Sequence, residues 1–183
     1  MAWTVRGITR NMLPILSALT VIEIGSGLVL GSFESTLLTY PSLLVLVPVT
    51  IGTAGNLGSI LAARLSTAFH LGLLEFALAD DRLGGNAIAT VLLATTLFPI
   101  VGASAWGLGV VTGGAQLGML TVVLIATASG IALAVLAVLV TVIATYAAYR
   151  LSIDPDDVVI PVVTNICDVL GVLVLFLVVV IIL

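Results

Sequence analysis

The sequence predicts an all-α integral membrane protein with five transmembrane helices, and three observations carry that prediction. Of 183 residues, 61% are hydrophobic and only 8% charged, with a mean hydropathy of +1.39, which is more apolar surface than a soluble domain has any use for. The apolar residues gather in near-continuous runs of about 20 residues or more, the length that spans a hydrocarbon core. The few cations are also segregated: all five are arginines, and they lie before the first run or in or beside alternate breaks.

The first run covers 12–33. Arg6 and Arg10 precede it, and no small-residue cleavage pattern follows a short core, so this is a span with a cytoplasmic lead rather than a cleavable signal. The second covers 42–67 and the third 86–110. The fourth, 117–149, is too long for one upright span and too short for two with a turn, which predicts a tilted or protruding helix. The fifth is 158–183. Within the long break 68–85, Leu71, Leu74, Glu75 and Leu78 recur at helical offsets, predicting a short amphipathic helix at the interface. The lone His70 sits there and reads as an interfacial or capping histidine, since metal ligation would call for a second one. Trp3 and Trp106 fall near span ends as interfacial anchors.

Five spans put the termini on opposite sides. With the N-terminus cytoplasmic, Arg6, Arg10, Arg64, Arg82 and Arg150 all lie inside, while the outer breaks carry Glu34 and no cation, in accord with the positive-inside rule. The expected placement is a multi-pass protein of the cell membrane with Leu183 outside, one five-helix domain over 1–183 and no added soluble module.

Composition also excludes several functions. A net charge of −4 with no lysine leaves no polybasic patch for nucleic acid or anionic lipid. Cys167, the single cysteine, rules out an intramolecular disulfide and a cysteine metal cluster, and reads as a small packing residue beside Asp168. Gly55-Asn56-Leu57-Gly58 interrupts a membrane span, so it is not a phosphate loop. No serine has a histidine within plausible reach, and an enzyme is not expected.

Two stretches stand out against the valine and leucine. In the fifth span Asp168 shares a helical face with Pro161, Thr164, Gly171 and Leu175, at offsets of three, four and seven. A carboxylate in hydrocarbon costs several kcal/mol unless it faces water, a cation or a partner, which marks a functional site by default. The span opens on the acidic turn Asp154-Pro155-Asp156-Asp157. In the second span Pro48 precedes Gly52, Gly55, Ser59, Ala62, Ala63 and Ser66, small side chains that let another helix approach closely. Pro48 and the glycines can also loosen the helix and free carbonyls, which a membrane tolerates only where backbone is buried or lines a wet cavity. Asn56 reads either as an ion-path residue or as one interhelical hydrogen bond. Glu23, in the first span, either pairs with Thr20, Thr50 or Asn56, is held protonated, or lines a path.

Pro48, Gly55-Asn56-Leu57-Gly58 and Arg64, followed far downstream by Asp154-Pro155-Asp156, Pro161, Thr164, Asp168 and Gly171, resemble the membrane domain of the MgtE magnesium transporter family. The Asp-Pro-Asp opening is nearer to the related eukaryotic magnesium solute carriers, and Phe33-Glu34 ends the first span as in the family. The resemblance implies a dimer of five-helix domains with a Mg²⁺ pathway along the dimer axis, lined by the second and fifth helices. It places the family's metal-site aspartate at Asp168 and its glycine–asparagine–glycine element at Gly55, Asn56 and Gly58. Two departures accompany it. Ile60 stands where bacterial members often carry glutamine, and only about ten residues precede the first span, where those members carry Mg²⁺-sensing domains. With one membrane domain per chain, the pathway requires a second copy or a sister chain.

The chemistry suits that implication. Mg²⁺ demands near-octahedral oxygen ligation and sheds water reluctantly, so one or two carboxylates plus neutral oxygens suffice to hold it largely hydrated. Two copies of Asp168 would do so, with Thr164, Asn165 or carbonyls near Pro161 touching the water shell; Mn²⁺ and Co²⁺ are other possible cargoes. The turn of Asp154, Asp156 and Asp157 is either an inner collecting site for divalent ions or a solvated helix start whose acids complement the dipole. Two alternatives remain: a divalent cation exchanger coupled to H⁺ or Na⁺, with Glu23 as coupling residue, or a membrane assembly subunit that transports nothing.

Overall fold

A computed structural model describes residues 4–73 and 81–183, apart from the side chains of residues 8, 11 and 157. Six helices follow one another: α1 (Val5–Ser32), α2 (Glu34–Thr39), α3 (Pro41–His70), α4 (Asp81–Val111), α5 (Met119–Leu151) and α6 (Pro155–Ile182). All but α2 are long and apolar enough to cross a membrane. Helices are the natural form for such segments, because each closes its own backbone hydrogen bonds where no water can.

The ends follow from local chemistry. Thr4 caps α1 by accepting from the Gly7 amide. Pro41 and Pro155 open α3 and α6, where a missing N–H costs nothing. The Asp154 carboxylate caps α6, taking the Asp156 N–H at 3.1 Å. Gly113, beyond α4, adopts the left-handed backbone (φ +75°) that glycine tolerates best. Ser152 takes the same region at the end of α5 (φ 54°, ψ 36°).

Several expectations change. The first span starts at Val5, seven residues earlier than its apolar run. The break after it is helical too: Glu34 opens α2, whose Leu37 is buried. The fourth span is one helix of 33 residues, about 50 Å at ~1.5 Å per residue, so it exceeds a ~30 Å core as its length required. Pro14, Pro48, Pro99 and Pro161 all lie inside helices that continue through them. The loosened backbone expected at Pro48 and the glycines is therefore absent from α3. What remains is the one carbonyl a proline leaves without its N–H donor, that of Leu44. Leu71 ends α3, but Leu74, Glu75 and Leu78 of the expected interfacial helix lie outside the described residues, as does Trp3. Trp106, near the end of α4, is half-buried against the core.

α5 is central, packing on α3, α4 and α6, while α3 also meets α4 and α6. One end of the bundle is filled by large side chains, with Leu43, Leu46, Ile125, Leu175 and Phe176 buried together. At that end Phe33 stacks on Phe176, ring centroids 3.9 Å apart. The His70 end is filled by small ones, Ala62, Ala137, Ala148, Val159 and Cys167, so backbones come closer there. Among the described residues α1 packs only on α6 and α2. Among the described side chains of α1, Leu19 is the one buried; Glu23, Ser26 and Leu30 follow it at helical spacing on the half-buried side.

Candidate functional site

α3 and α6 cross where their small residues coincide. A Cβ built on Gly58 would stand 2.7 Å from Val163 Cγ1 and 3.3 Å from Cys167 Sγ, and one on Gly171 would stand 2.9 Å from Ile51 Cγ1. Both glycines are thus required by close approach. Between them lies Gly55, at the middle of α3. A Cβ there would come 3.2 Å from Asp168 Oδ1 and 3.5 Å from Thr164 Cγ2. The notch that Gly55 leaves is what accommodates the Asp168 carboxylate, near the middle of α6's apolar stretch. Cys167 is buried against Gly58, as its size suggested.

The face expected of α6 divides. Gly171 and Leu175 are buried in the bundle, whereas Asp168, Thr164 and Pro161 are half-buried at its border. Asn165 is half-buried as well, but its amide nitrogen donates to the Pro161 carbonyl at 2.9 Å. That carbonyl and that nitrogen are therefore engaged within α6, and only Thr164 joins Asp168 at the notch. On α3 the small residues divide likewise: Gly55, Ala62 and Ser66 are buried, while Gly52 and Ala63 face outward and Ser59 turns its hydroxyl to the Gly55 carbonyl. Pro48, Gly52 and Asn56, four residues apart, form an exposed stripe. Asn56 is thus one step round the helix from Gly55 and not enclosed within the chain.

The sequence left Glu23 without a partner, and the three candidates do not supply one. Thr20 bonds the Leu16 carbonyl, Thr50 is buried with its hydroxyl unpaired, and Asn56 points outward. The packing of α1 on α6 instead brings Glu23 within electrostatic reach of Asp168. Two carboxylates within electrostatic reach of each other in an apolar layer repel unless a proton or a metal ion stands with them.

The acidic turn divides between its two readings. Asp154 is the cap of α6, as a solvated helix start would have it. Asp156 instead accepts from Ser66 Oγ across the bundle at 2.5 Å, and the side chain of Asp157 lies outside the described positions. His70, at the end of α3, joins them, with Nε2 3.5 Å from Asp154 Oδ1. Spacing could not show this, because the two residues are 84 positions apart in the chain. The arginine topology did hold a signal, since it puts the breaks holding His70 and Asp154 on the same side.

The family model described as MgtE, divalent cation transporter, matches residues 47–178, most of the chain and all of the α3–α6 crossing. Glu23 lies before the matched stretch. No curated protein and no solved structure matches the chain.

Proposed function

The chain belongs to the MgtE family of divalent cation transporters, and from that premise we propose that it carries Mg²⁺ along a path between two copies, lined by α3 and α6. The single observation that carries this reading is the carboxylate of Asp168, set in the Gly55 notch at mid-depth of two apolar helices and half-buried at the bundle's border. An isolated bundle would leave that charge, the Asn56 amide and the Pro48–Gly52 stripe against lipid, at a cost of several kcal/mol. Facing the same groups of a second chain across a wet path removes that cost.

In this arrangement each Asp168 holds the ion through its water shell, which suits an ion that dehydrates reluctantly. Thr164 offers a neutral oxygen beside it, and Asn56 a second from α3. No thiolate or imidazole lies at the notch; Cys167 faces Gly58 instead, and oxygen-only surroundings favour hard cations. The second chain is either an identical copy or a sister chain. The N-terminus is cytoplasmic and Leu183 outside, as the arginines require, and 1–183 forms one five-helix domain.

The placement of Glu23 favours one second reading, an exchanger in which Glu23 takes a proton or Na⁺ as Asp168 releases the divalent ion. Its flux would need an opposing H⁺ or Na⁺ gradient, whereas a channel follows membrane potential alone.

The test is Asp168→Asn in proteoliposomes, with Mg²⁺ influx measured beside a melting curve. Asparagine keeps the shape and discards the charge that offsets dehydration, so influx should fall by most of its value while the melt stays put. Wild-type influx with a lowered melting temperature would make Asp168 a structural residue and overturn the proposal.

A further inference from the structure

The turn at the start of α6 and the last turn of α3 meet at the end of the bundle away from Phe176. Two carboxylates at a helix start would by themselves be capping chemistry. The imidazole brought to them from another helix changes the donor set: one ligand atom each from His70, Asp154 and Asp156 lies within 4.8 Å of the other two.

The orientation of His70 is decided by its own helix. Nδ1 lies 2.9 Å from the Ser66 backbone carbonyl, which can only accept, so Nδ1 carries the proton and Nε2 the lone pair in the neutral ring. This is the outer-sphere hydrogen bond that orients metal-binding histidines. It aims the Nε2 lone pair at the Asp154 carboxylate, 3.5 Å away. Two electron-rich atoms face one another with room for a cation between them. The ring also packs edge-to-face with Phe69, centroids 5.5 Å apart, and Phe69 in turn with Tyr149 of α5, centroids 5.7 Å apart.

We propose that His70, Asp154 and Asp156 bind a borderline divalent transition ion of the Zn²⁺ or Co²⁺ class, which ties the end of α3 to the start of α6. Tetrahedral ligation at ~2.0–2.2 Å puts donor atoms about 3.4 Å apart. The His70–Asp154 pair has that separation already, and Asp156 needs a shift of about an ångström. Its side chain is exposed, and the shift exchanges the Ser66 hydroxyl it accepts from for the ion. The mixed nitrogen–oxygen set discriminates against Mg²⁺, which prefers oxygen ligands and keeps its water. The site is distinct from the Asp168 notch and stands or falls independently of the transport reading.

The experiment is a titration of the purified full chain in detergent with Co²⁺, followed by visible absorption, with Mg²⁺ in excess. The expected result is a saturable band at about one Co²⁺ per chain that millimolar Mg²⁺ leaves in place. His70→Ala should weaken binding by about tenfold or more, and so should Asp154→Asn, in which asparagine still caps α6. Asp168→Asn should leave the band unchanged. Absence of a band in the wild type would make the cluster a plain ion pair and overturn the proposal. Wild-type affinity in His70→Ala would overturn it too, as would displacement by equimolar Mg²⁺ or loss of the band in Asp168→Asn.

Discussion

Gly55→Ala tests the notch without touching a charge. The added methyl would sit 3.2 Å from Asp168 Oδ1 and 3.5 Å from Thr164 Cγ2, so a contact of ordinary length requires the carboxylate to retreat by about half an ångström. A half-buried aspartate does so by a small side-chain rotation, which costs of order 1 kcal/mol. The melting temperature should therefore move little. The effect on an ion is larger in relative terms. At an effective dielectric of about 20, lengthening a water-mediated separation from about 4 to about 4.5 Å costs a divalent ion about 1 kcal/mol per carboxylate. That is roughly a fivefold loss of occupancy for each copy of the site. Mg²⁺ influx at limiting concentration should accordingly fall severalfold in Gly55→Ala while saturating influx falls less. Unchanged influx across the concentration series would refute the idea that Gly55 exists to seat the carboxylate. A large drop in melting temperature at normal influx would make Gly55 a packing residue only.

Three further outcomes are expected. Gly130→Ala, whose methyl would fall within the ring of the fully buried Phe98, should destabilise by about 1–3 kcal/mol or more and be rescued in part by Phe98→Leu; thermal melts of the two variants and the pair decide this. Asn56→Cys should crosslink between chains far better than Ile88→Cys, also an exposed position, on α4, and equal crosslinking would refute the α3–α6 axis. A C-terminal reporter active only in the cytoplasm should stay silent after Leu183, and a bright signal would overturn the arginine-based topology.

Much of the molecule was legible beforehand. Span number and order, the motif pair in the second and fifth spans, and the family all follow from the chain itself. So does the proposal that Asp168 is a functional residue, because hydrocarbon penalises a carboxylate wherever neighbours are unknown. Legibility fails where a residue's role depends on rotation about its helix axis. Asn165 and Asn56 look alike in the sequence, yet one amide turns back to Pro161 and the other faces outward. Proline and glycine in α3 suggested a loosened helix, but Pro48 lies on the exposed side, where losing one hydrogen bond leaves the rest of α3 intact.

The sequence by itself determined that this is a multi-pass membrane protein with five helices long and apolar enough to span, since an apolar solvent leaves its backbone no other way to pair. It also singled out a carboxylate and an amide within apolar runs as candidates for function. Only the tertiary structure decided which groups meet: Asp168 and Thr164 with Gly55, and His70 with Asp154 and Asp156. Those meetings depend on helix rotation and tilt, which are settled by many small van der Waals contacts among glycines, alanines and valines. Contacts of that kind carry no spacing signature along the chain, so they exist only once the helices have packed.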